Sequence, residues 1–87
     1  MCTNIAEKTE LHGSAKGANG WFALDKAYVA FDHPLHAQLD HALTLDFVNE
    51  ASGIGARVAV ELDAGSARRL AETILAAVAQ AEAQGVA

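Results

Sequence analysis

The sequence predicts an α+β fold, a four-stranded antiparallel sheet with one C-terminal helix packed on one face. Three observations lead there. Apolar and polar residues alternate along two central stretches. The connections between stretches are short, which suits antiparallel pairing. The last third of the chain carries apolar residues at helical spacing. Across 87 residues no repeat or composition break divides the chain, so one domain, residues 1–87, is expected.

The elements follow in order. Residues 4–11 read as a first strand with poor alternation, and Glu7, Lys8, Thr9 and Glu10 mark it as an edge exposed to water. Residues 13–20 contain three glycines among small polar residues and read as a flexible loop, with Trp21 and Phe22 anchoring its end on the core. Residues 26–33 alternate, with Val29, Phe31 and His33 on one face and Tyr28, Ala30 and Asp32 on the other. Residues 41–49 do the same, His41, Leu43, Leu45 and Phe47 sharing a face. Gly53-Ile54-Gly55 punctuates the chain before a last strand over 56–62, where Val58, Val60 and Leu62 point inward. The helix is expected over 64–84, with Asp63 or Ser66 as N-cap and Gly85 at its C-terminal end. Ala67, Leu70, Ala71, Ile74, Leu75, Val78 and Ala81 trace its core-facing stripe, with Ile74 near the middle.

Composition narrows the function classes. A net charge of −5 speaks against nucleic-acid binding, which requires a basic face. The apolar run from Leu70 to Ala81 is too short to span a bilayer. No basic segment followed by an apolar run marks a secretory leader, so a cytoplasmic protein is expected. A chain this small needs reinforcement beyond its own core, and the single cysteine excludes an internal disulfide. A metal or a partner subunit remains.

Three of the four histidines lie within nine residues, in Asp32-His33-Pro34-Leu35-His36-Ala37-Gln38-Leu39-Asp40-His41. Imidazole is the commonest protein metal ligand. The apolar faces that His33 and His41 extend both point toward the helix, and facing residues on adjacent antiparallel strands place Cβ atoms about 5 Å apart. Two rings at that spacing reach one ion with bonds of about 2 Å. Pro34 restricts the turn and can fold His36 over the same point. Asp32 and Asp40 flank the cluster as ligands or as acceptors that orient a ring. Strand parity sends Asp32 to the opposite face, which favours a solvated carboxylate. A histidine at a strand end is also often only capped by a carbonyl.

Cys2 is the remaining candidate. Removal of Met1 would expose its amine and thiol together, a chelating pair, although an incidental thiol on a frayed end weighs equally. His12 reads as a solvated histidine. The glycine stretch 13–20 lacks the residue order of a phosphate-binding loop and reads as a flap. Asp46 and Glu50 read as solvated sheet positions.

Met1-Cys2-Thr3, Gly17-x-x-Gly20-Trp21-Phe22, Asp32-His33-Pro34-x-His36, His41-Ala42-Leu43, Asp46-Phe47-Val48-Asn49-Glu50 and Ala56-Arg57-Val58-Ala59-Val60-Glu61-Leu62 together cover nearly the whole chain. In these residues it resembles a family of short, functionally uncharacterised proteins, mainly actinobacterial. The resemblance supplies a grouping and no mechanism.

The residues therefore point to a small metalloprotein that binds one divalent transition metal (zinc, copper, nickel or iron) through His33, His36 and His41, with Cys2, its free amine or water as the fourth ligand. An open position on the ion would admit a small-molecule substrate. The alternative is a non-catalytic interaction module or an accessory subunit without metal. A homodimer is expected in either case. One helix covers one sheet face, and the other offers Tyr28, Ala30, Ala42, Thr44, Val48 and Ala59.

Overall fold

The computed structural model describes residues 3–87. Strands β1 (Ile5–Gly17), β2 (Gly20–Asp32), β3 (Ala42–Val48) and β4 (Arg57–Leu62) form one antiparallel sheet in sequence order, followed by helix α1 (Ala64–Ala83). The α+β class read from the sequence is the observed one.

The stretch 13–20 departs from the expected loop. It forms the end of a long β1–β2 hairpin, with Gly17 paired to Gly20 across Ala18 and Asn19. Neither connecting residue takes a positive φ; Gly20 does, at 106°, the arrangement of a turn followed by a glycine bulge. The Phe22 ring packs so close to Gly17 that a Cβ there would lie 3.1 Å from it. Trp21, expected on the core, is 70% exposed. Pairing with β2 satisfies the backbone of this glycine-rich stretch, which composition alone does not register. The weak alternation of β1 also has a cause. Its register shifts between Glu10 and Gly13, so Leu11 and His12 together face Asp25, and the side-chain parity breaks there.

Beyond β1 the period-two pattern is faithful. Phe31, Leu43 and Leu62 lie in one cross-strand row, and Val29, Leu45 and Val60 in the next. Ala27, Phe47 and Val58 complete an apolar face. The opposite face is more polar than expected. Lys26 pairs with Glu50 at 2.7 Å, and the Tyr28 hydroxyl donates to the same carboxylate at 2.9 Å. Asp46 meets Arg57 at 2.5 Å as an ion pair, off the angle of a hydrogen bond. Neither Glu50 nor Asp46 is a simply solvated position. Glu50 is held below the ordinary carboxylate range by the bonds from Lys26 and then Tyr28.

Helix α1 begins at Asp63, whose carboxylate accepts from the Ser66 N–H at 2.6 Å. It closes on Gly85 (φ 73°), with Gly85 N–H donating to Glu82 and Val86 N–H to Ala81. This pair of bonds is a Schellman motif, and it explains the glycine. The helix makes its main sheet contact with β3, and none of its residues is buried. Ile74, expected at the heart of the core, is 54% exposed. The buried hydrophobic residues are only Ala27, Ala42 and Ala56, so no large side chain is fully enclosed among the described residues.

Candidate metal centre

The register pairs Asp32 with Ala42, so the next residues outward, His33 and His41, flank the open end of the β2–β3 ladder. Their rings lie 4.6 Å apart, tilted by 31°. Ala42, beside His41, is fully buried and closes the base of the cluster.

Asp40 addresses both rings. Its carbonyl lies 2.8 Å from His33 Nδ1, and since a carbonyl only accepts, that nitrogen carries the proton. Its carboxylate lies 3.2 Å from His41 Nδ1. Donation from His33 Nδ1–H leaves that ring's lone pair on Nε2, the orientation that carbonyl and carboxylate acceptors impose on metal-binding imidazoles, and the Asp40 carboxylate lies where it favours the same tautomer of His41.

Asp32 accepts from the His33 N–H at 2.8 Å, and the same oxygen is 3.9 Å from His33 Nε2. The backbone leaves the strand after Asp32. Strand parity therefore stops applying, and the carboxylate joins the histidines instead of facing away. Asp32, His33 and His41 each offer a ligand atom, all within 4.8 Å of one another. Bonds of about 2.0–2.1 Å in tetrahedral geometry place donors roughly 3.3 Å apart. The three groups would need to close by up to about 1.5 Å.

His36 stands apart from that group. Its backbone N–H points to Glu61, as do those of Leu35 and Ala37, with distances of 3.1, 2.6 and 2.8 Å. One carboxylate on β4 thus gathers the turn. Those amides, Ala37 first and then Leu35, keep the Glu61 carboxyl below its ordinary range. Sequence reasoning missed Glu61, which lies 24 residues beyond Ala37. The available signal was a turn whose amides needed an acceptor. His33, Leu35, Thr44, Arg57 and Glu61 help line a shallow cavity of about 200 Å³ beside the cluster. His12 sits exposed in the β1 bulge, toward the other end of β2. Cys2 lies outside the described residues.

Fold and site together define a small α+β protein whose strand–turn–strand gathers two histidines and one carboxylate that could hold a metal ion. The chain belongs to DUF6295, a family of unknown function, which it matches over residues 1–87. No curated protein and no solved structure matches it. No helix among the described residues is long and apolar enough to cross a membrane.

Proposed function

We propose that the protein binds one divalent transition metal at the open end of β2 and β3, with His33 and His41 as nitrogen ligands and Asp32 as the oxygen ligand. The observation that carries this reading is the convergence of the three ligand atoms within 4.8 Å. Two imidazoles and a carboxylate form a donor set suited to zinc and to iron(II), with copper and nickel also accommodated by nitrogen ligands. His36, one turn away, and Cys2 are the further ligands proposed from the sequence. A water left on the ion would be acidified and become a nucleophile, and a small-molecule substrate would enter there. A net charge of −5 and a cytoplasmic setting without nucleic acid fit this reading.

Metal content and melting temperature, measured before and after chelation, test it. Bound metal should raise the melting temperature, because the unfolded chain cannot gather the ligands. His33→Ala, His41→Ala and Asp32→Asn should each abolish that rise, and His12→Ala should leave it unchanged. His36→Ala and Cys2→Ser decide whether those residues complete the coordination sphere. Protein that melts identically with and without zinc, copper, nickel and iron ends the metal reading.

A second reading, a homodimeric interaction module, is favoured by the apolar surface that one chain leaves uncovered. Leu70, Ile74, Leu75 and Val78 are between 41% and 70% exposed. The two readings are compatible, since the histidine turn and α1 are separate elements.

A further inference from the structure

The amount of exposed surface and the position of its apolar part point to what covers it. A compact monomer of this mass should expose about 4,900 Å² by the area–mass relation. The chain exposes 6490 Å². Its radius of gyration is 14.5 Å, against about 12 Å for a compact domain of this length. The excess is therefore roughly 1,600 Å² per chain, within the range of about 1,000–2,500 Å² per partner that obligate dimers bury.

The longest continuous apolar part of that exposed surface is a stripe along α1, while the exposed strand β1 carries part of the rest. Leu70, Ile74 and Val78 follow one another at four-residue intervals, Leu75 widens the stripe, and no charged residue interrupts it. Among the described residues only alanines are buried, so the single chain lacks the enclosed side chains that normally stabilise a domain. An occupant required for stability must be present whenever the chain folds, and a second copy meets that condition. The more polar sheet face is a poorer candidate, because Lys26, Glu50, Asp46 and Arg57 lie on it as ion pairs and the histidine turn bends over it to Glu61.

We infer that two copies of this chain associate through the apolar stripe of α1, each chain covering the stripe of the other. This rests on the dimeric reading above and replaces the sheet face with the helix as the contact surface. It is independent of the metal.

Sedimentation equilibrium of the full chain over a dilution series tests it, together with the melting temperature at each concentration. The expected mass is twice the 9.1 kDa of one chain, and the melting temperature should rise with concentration. Ile74→Ala keeps helix propensity and should raise the dissociation constant about tenfold or more, as should Val78→Ala. Gln80→Ala, on the other side of α1, should leave it unchanged. A single-chain mass with a concentration-independent melting temperature overturns both the dimer and its surface. A dimer indifferent to Ile74→Ala and Val78→Ala overturns the helix surface alone and leaves the dimeric reading standing.

Discussion

Asp40 and Glu61 organise the cluster without belonging to it. Asp40 offers its carbonyl to His33 and its carboxylate to His41, so a single residue faces both rings. Asp40→Asn retains the carbonyl and removes the charge that favours the His41 orientation. Metal affinity, read by competition with a chromophoric chelator, should fall about tenfold to a hundredfold. Glu61 acts on the backbone of the turn. Its carboxyl is depressed by the amides it accepts from, so its contribution is complete above the ordinary carboxylate range. That contribution is lost as pH falls through the depressed value. Acidification through that depressed value should therefore release the turn. At neutral pH, Glu61→Gln should accelerate amide exchange at Leu35 and Ala37 by about tenfold, because a charge-assisted acceptor becomes a neutral one. Unchanged exchange at those amides would show that the turn is ordered by other contacts.

At the scale of the element, α1 is well terminated and poorly covered. Asp63 caps one end, and the Schellman motif at Gly85 closes the other. Gly85→Ala forces a side chain into a φ of 73° and should lower stability by about 1 kcal/mol in chemical denaturation. Ile74→Ala behaves differently. A fully buried isoleucine costs about 2–5 kcal/mol when truncated, yet Ile74 is 54% exposed in a single chain. Its loss should approach that range only at concentrations where the stripe is covered. The same small effect at high and low concentration would mean that nothing packs on it. The β1–β2 hairpin shows the converse. Its glycines read as a loop by composition, and the pairing of Gly17 with Gly20 makes them the tip of two long strands.

For the whole molecule, the question is how a chain whose described residues bury only three alanines remains folded. Small domains recruit metals, disulfides or partners. The lone cysteine removes the disulfide, and the two proposals here take the other routes separately. Chelation should lower the melting temperature without changing the sedimenting mass, because the ligand group lies on the β2–β3 end and the stripe on α1. A chelator that also halves the mass would join the two sites into one.

The sequence by itself determined the order of elements, the antiparallel sheet, the helix with its cap at Asp63 and the meeting of His33 with His41. All follow from local periodicity and from a register that faces those two histidines across a turn. Tertiary structure alone decided what no local pattern encodes. Asp32 joins the histidines because the strand ends there and parity lapses. Glu61 ties down the turn across 24 residues of chain. Helix α1 keeps its stripe exposed because hydrophobic periodicity specifies a face to be covered and carries no information about which surface covers it.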